Sequence, residues 1–142
     1  MFAWIMCRIE WKKAWIWTTG AFILDRFEKN IAKSLVFKEK TTDQPILVIA
    51  SGLNRVDLKK IREATGLRLG KADGTFVKER VGYAIGGVPP VGHNEPLKTI
   101  LDPDLKKYDV IWAAAGTPFA VFQMKPSGLE RLTCGIWVEL SE

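Results

Sequence analysis

From Ile31 onward the chain alternates short apolar runs with polar turns. Ile31-Ala32-Lys33-Ser34-Leu35-Val36-Phe37 predicts a strand, and Gln44-Pro45 marks the turn before a second apolar strand over 46–50, closed by Ser51-Gly52. Asp57–Thr65 has helical spacing, with Leu58, Ile61 and Ala64 on one side, Lys59, Lys60 and Arg62 on the other, and Gly66 as the stop. A short strand is expected at Leu67–Leu69 and a short helix at Asp73–Arg80. Strands follow at Lys98–Leu101, Asp109–Ala115 and Thr117–Met124, then a helix at Pro126–Leu132 and a last strand at Ile136–Leu140. Many short strands with a few helices predict an α+β (mixed α/β) single compact domain. Its sheet is expected to be mixed and partly barrel-like, flanked by short helices.

The first thirty residues read differently. Met1–Leu24 holds Trp4, Trp11, Trp15 and Trp17 around Lys12-Lys13, and its uncharged run from Ala14 to Leu24 is too short to cross a bilayer. A signal peptide would need a small-residue cleavage site that is not evident after Leu24. A membrane-surface helix would also suit the tryptophans and lysines. The favoured expectation is an atypical, packed or partly unnatural N-terminal extension over residues 1–30, with the domain proper spanning 31–142.

Charge separates the two halves of the chain. Residues 1–80 carry 16 Lys/Arg against 9 Asp/Glu, and residues 81–142 carry 5 against 7. The basic half suits a polyanion such as RNA, with Lys59, Lys60 and Arg62 as the expected RNA contacts, although such a run also serves as an ordinary solvated helix face. Cys7 and Cys134 imply no disulfide framework and fit a reducing cytoplasm. Two distant cysteines and one histidine make no zinc site, and neither a Gly-x-Ser-x-Gly elbow nor a phosphate-binding P-loop is present. An enzyme of this composition would work through backbone donors, lysine or the substrate itself.

The most pointed segment is Gly86-Gly87-Val88-Pro89-Pro90-Val91-Gly92-His93. Its glycines allow close backbone approach and its prolines stiffen the exit, so it reads as a rigid turn with exposed amides. Gly-Gly and Pro-Pro also occur as purely structural turns. His93, the sole histidine, is either a general base or a loop-packing residue. Lys33, on an otherwise largely apolar strand, points into solvent or into a cleft.

Three pieces together resemble the YbaK / prolyl-tRNA-synthetase-associated editing-domain family. They are the Lys33 strand, the Gly82-Tyr83-Ala84-Ile85-Gly86-Gly87-Val88-Pro89-Pro90 stretch, and Trp112-Ala113-Ala114-Ala115-Gly116-Thr117-Pro118. Ser51–Asp57 and Asp102–Leu105 add weaker support. The likeness covers about residues 30–140; residues 1–30 do not match, and Thr117 stands where some members have histidine.

The resemblance implies a free-standing, metal-independent, cofactor-free aminoacyl-tRNA deacylase. It would hydrolyse the ester of a small amino acid on mischarged tRNA in the cytoplasm, with an aminoacyl-tRNA synthetase as a further partner and no DNA or membrane involvement. Lys33 and the Gly86–Pro90 backbone would carry the chemistry, and Ser34, His93, Gly116, Thr117 and Pro118 would line the substrate. The alternative is a non-catalytic module of the same fold that binds tRNA or a synthetase.

Overall fold

A computed structural model describes residues 15–16, 30–117 and 120–142, with side chains for all but the first pair. Most of the Trp-rich segment lies outside the described residues. Among those described, the strands are β1 (Trp15–Ile16), β2 (Ile31–Glu39), β3 (Pro45–Ser51), β4 (Leu69–Lys71), β5 (Lys98–Leu101), β6 (Ile111–Ala114), β7 (Ala120–Met124) and β8 (Ile136–Trp137). They form one sheet in the order β1-β7-β6-β2-β3-β5-β8, with β4 added beside β2. β2 runs antiparallel to β3 but parallel to β6, and β3 and β5 are parallel, so the sheet is mixed as expected.

β2 organises the molecule. One edge pairs with β3 from Ala32 to Lys38. The other edge is shared: β6 takes Ile31 and Ala32, and β4 takes Phe37 to Glu39. Among the described residues, no strand pairs with Lys33–Val36 on that side. Among the described residues, this interruption leaves the middle of a central strand without a neighbour along one edge.

Side chains alternate across the sheet, and the register sorts them into two cores. Ala32, Leu47, Ile49, Leu101, Ile111 and Ala113 pack on one face with Val77, Val81 and Val88. Ile46, Val48, Ala50 and Ile100 pack on the other with Ile61 and Leu140. Full burial of each such aliphatic side chain contributes about 1.5–3 kcal/mol before entropy is counted. β3 is buried along its whole length, which explains why its text is continuously apolar.

Helices α1 (Leu58–Thr65), α2 (Gly74–Val81) and α3 (Pro126–Thr133) lie close to their expected places. Asp57 and Asp73 are N-caps whose carboxylates accept backbone N–H groups, and Gly66 and Gly82 close the helices in the left-handed region. Several strand boundaries move; β6, for one, covers Ile111–Ala114 rather than Asp109–Ala115. The first strand runs on to Glu39, and Leu69–Lys71 rather than Leu67–Leu69 forms β4, because the two pair with each other. The seventh runs Ala120–Met124, with Ala115 N donating to Ala120 O at 2.9 Å, and positions 118–119 of the expected strand lie outside the described residues. The last ends at Trp137, after which Val138 N donates to Leu101 O at 3.0 Å. A 3₁₀ helix at Pro103–Lys107, with Asp102 as its cap, was not foreseen.

Candidate functional site

Lys33 pairs with Ala50 and so springs from the face of the second core, at the interrupted edge of β2. It is half-buried, and its ammonium donates to the backbone carbonyls of Gly52 (3.5 Å) and Asn54. An ammonium has three donors, so one N–H is left over for a ligand. Burial lowers its pKa; the Asp102 charge works against that and Arg55 adds to it. Of the two readings of this lysine, the structure gives a side chain folded onto a turn rather than extended into solvent.

The turn it grips is built from the segments that gave only weaker support in the sequence. Asp102 is 1% exposed, and its Oδ2 accepts from Ser51 N (3.0 Å) and Asn54 Nδ2 (2.8 Å). Its Oδ1 accepts from Asp104 N (3.0 Å). The same Asn54 amide donates to Asp104 Oδ2 (2.7 Å), while Asp104 Oδ1 pairs with the Lys107 ammonium (2.8 Å). Sequence reasoning missed Asn54 and Asp102. The available signal was a polar residue following an apolar strand on each of two strands, β3 and β5.

The glycine–proline run corrects its own first description. Gly86 is exposed, but residues 87–90 are buried, and Val88 belongs to the first core at 2% exposure. Gly87 N already donates to Ala84 O (3.0 Å), and the two prolines have no N–H. Within Gly86–Pro90 the amides left as donors are those of Gly86 and Val88. The run is thus mainly a packed wall with two amides rather than a row of exposed ones.

Tyr83 joins this wall to the late glycine turn. Its hydroxyl donates to Gly92 O (2.9 Å), and a Cβ placed on Gly116 would sit 3.2 Å from its Cε1. Gly116 has φ +99°, a conformation that suits glycine. Thr117 is exposed at the same turn, and Pro118 lies outside the described residues. The structure therefore brings Gly86–His93 and Gly116 together, and brings Lys33 to the Ser51–Asn54 turn. Lys33 and Val88 root on opposite faces of the sheet.

His93 packs within the loop. Its Nε2 lies 2.6 Å from Pro89 O, and its ring meets Tyr83 edge-on at 6.2 Å between centroids. A carbonyl only accepts, so Nε2 carries the proton in the neutral ring. Burial lowers the His93 pKa, outweighing the Pro89 contact that raises it. The unfolded chain, near the ordinary value of 6.5, then takes up a proton before the folded one does. This contribution to stability is present above pH 6.5 and is lost as the pH falls through the folded value. His93→Gln should accordingly narrow the difference in melting temperature between pH 7.5 and pH 5.5; an unchanged difference would remove His93 from the acid response.

Ser34 alternates to the Val88 face, opposite Ile49. Its Oγ is buried without a hydrogen-bond partner. An orphaned hydroxyl is disfavoured in a folded chain, which makes this one a candidate for a ligand contact. Of the cations expected to meet RNA, Lys59 and Arg62 are exposed, whereas the Lys60 ammonium donates to Ser141 O (2.7 Å). No helix among the described residues is long and apolar enough to cross a membrane.

Known proteins share this arrangement of segments. The model of the aminoacyl-tRNA editing domain family matches residues 21–132. The uncharacterized protein YwhH of Bacillus subtilis (strain 168) is 32% identical over 112 residues, covering 78% of this chain and 71% of YwhH. In Enterococcus faecalis (strain ATCC 700802 / V583), "Putative Cys-tRNA(Pro)/Cys-tRNA(Cys) deacylase EbsC" is 27% identical over 119 residues, 79% of this chain and 71% of its own. A solved structure described as "Crystal structure of a putative trans-editing enzyme for prolyl tRNA synthetase" superposes with a TM-score of 0.76 at 45% identity. That likeness covers 81% of this chain and 72% of the other.

Proposed function

The chain belongs to the aminoacyl-tRNA editing domain family, and on that premise we propose that it is a free-standing deacylase that removes a small amino acid from mischarged tRNA in trans. The observation that carries this reading is the half-buried Lys33 ammonium at an interrupted strand edge, tethered by two carbonyls with one donor left over. The 3′ end of a charged tRNA offers that donor a phosphate oxygen or a ribose hydroxyl. The names of the EbsC relative and of the trans-editing neighbour support the same substrate class, with prolyl-tRNA synthetase as the associated enzyme, and such a substrate places the protein in the cytoplasm.

The chemistry asks little of acid–base side chains because the ester is already activated. A water oxygen adds to the ester carbonyl carbon, and charge collects on the carbonyl oxygen. The bond to the ribose oxygen then breaks, that oxygen takes one of the two water protons, and the amino acid leaves as a carboxylate with the other proton released to solvent. The Gly86 and Val88 amides lie on the other face of the sheet from Lys33, so a bound 3′ end would have to reach both around the interrupted edge of β2. There the amides supply donors for the oxyanion, and loss of one such donor typically costs roughly 10²–10³ in rate. The biological need is discrimination: a synthetase pocket gains only about 1–3 kcal/mol from one methylene, so near-isosteres require a second hydrolytic site.

The test incubates the protein with tRNAs mischarged with alanine, cysteine or serine and follows amino-acid release. Absence of turnover on every one, together with tight salt-sensitive tRNA binding, would favour the non-catalytic module instead. Ser34→Ala separates function from stability. Removing the orphaned hydroxyl should hold or raise stability by up to about 1 kcal/mol, while hydrolysis falls roughly five- to tenfold, the worth of one neutral hydrogen bond. A loss of both together would make Ser34 a packing residue.

A further inference from the structure

Asp102 and Asn54 form a unit that the sequence reading did not assign. A carboxylate 1% exposed is costly unless its oxygens are satisfied, and here three donors converge on it: Ser51 N, Asn54 Nδ2 and Asp104 N. Both hydrogens of the Asn54 amide are committed to carboxylates, one on Asp102 and one on Asp104. The backbone of the turn is fixed as well, since Asn54 N donates to Ser51 O (2.9 Å) and Gly52 N to Ile31 O (2.8 Å). The acceptors that hold Lys33 are therefore the carbonyls of a turn clamped from β5 and the 3₁₀ helix. That clamp joins Ser51 to Asp102, 51 positions apart in the sequence, so it is no local accident of one loop.

We propose that Asp102, acting through Asn54, is the positioning residue for Lys33: it fixes the turn whose two carbonyls aim the ammonium. This rests on Lys33 being the substrate-anchoring group, so its test has one arm that does not depend on activity. Other charges near the ammonium are Arg55, which opposes the effect, and the Asp104–Lys107 pair, which is already internally matched. Removing the Asp102 charge takes away what offsets burial, so the Lys33 pKa must fall further and the neutral amine must appear at lower pH.

In uniformly ¹³C-labelled full-length protein, Lys33 Cε is followed by NMR through an alkaline titration. Asp102→Asn is expected to move its midpoint down and to move the alkaline limb of kcat/KM for mischarged tRNA the same way. Asn54→Ala should leave the charge in place but release the turn, raising KM for charged tRNA with a smaller change in midpoint. An unchanged Lys33 titration in Asp102→Asn overturns the positioning role, whether or not the protein deacylates tRNA. If the titration shifts but the wild-type protein hydrolyses no aminoacyl ester, the positioning stands and the deacylase reading falls. Should Asp102→Asn fail to fold, Asn54→Ala decides: an unchanged KM overturns the proposal.

Discussion

Replacing Lys33 with alanine should reduce ester hydrolysis by about 10²–10³ while the protein keeps its fold. The scale follows from what is removed. A charge-assisted hydrogen bond to an anionic or developing-charge partner is worth about 1.5–3 kcal/mol, and one that strengthens in the transition state adds to that. Stability should change little, because the side chain is only half-buried and its two acceptors, the Gly52 and Asn54 carbonyls, lie on a turn that water can reach. Removing the cation forfeits its attraction to Asp102 but relieves its burial cost and its repulsion with Arg55, so these effects largely offset one another. Arginine should not substitute well: its planar fork cannot place a single point charge between those two carbonyls as an ammonium does. Single-turnover deacylation beside a thermal melt separates the effects. If Lys33→Ala melts normally and hydrolyses at the wild-type rate, the lysine is no part of the site.

The contrast between Lys33 and the glycine–proline run shows what a sequence discloses and what it withholds. Periodicity and caps located the helices well, because Asp57, Asp73, Gly66 and Gly82 each act within a few residues of themselves. The family resemblance drew in Ser51–Asp57 and Asp102–Leu105 as weaker support. Their use remained hidden, since Asp102 and Asn54 stand 48 positions apart and meet only because β3 and β5 are neighbours in the sheet. Burial of Gly87–Pro90 was hidden for the same reason: turn residues look exposed until Val88 is seen against Ala32 and Ile49. The interruption along β2 could not be read from β2 at all, as it depends on where β6 stops and β4 starts.

Gly116→Ala should be the second severe change, lowering both the melting temperature and kcat/KM by at least tenfold in the latter. Two penalties coincide at this residue. Its φ of +99° is unfavourable for any side chain, costing on the order of 1–2 kcal/mol. The new Cβ would also stand 3.2 Å from Tyr83 Cε1, a contact that requires the ring to give. That ring has little freedom, because its hydroxyl is tied to Gly92 O and its edge lies against His93, which in turn holds Pro89 O. Displacing it would therefore move the wall that carries the Gly86 and Val88 amides. Tyr83→Phe isolates the mildest part of this linkage: it keeps the ring, loses one hydrogen bond of about 1 kcal/mol, and should cost far less than Gly116→Ala. Tyr83→Ala clears the space, so Gly116→Ala should be cheaper in that background than in the wild type, a positive coupling in a double-mutant cycle. Strict additivity of the two substitutions would mean that Tyr83 does not join the late turn to the loop, and that the φ penalty alone accounts for the damage.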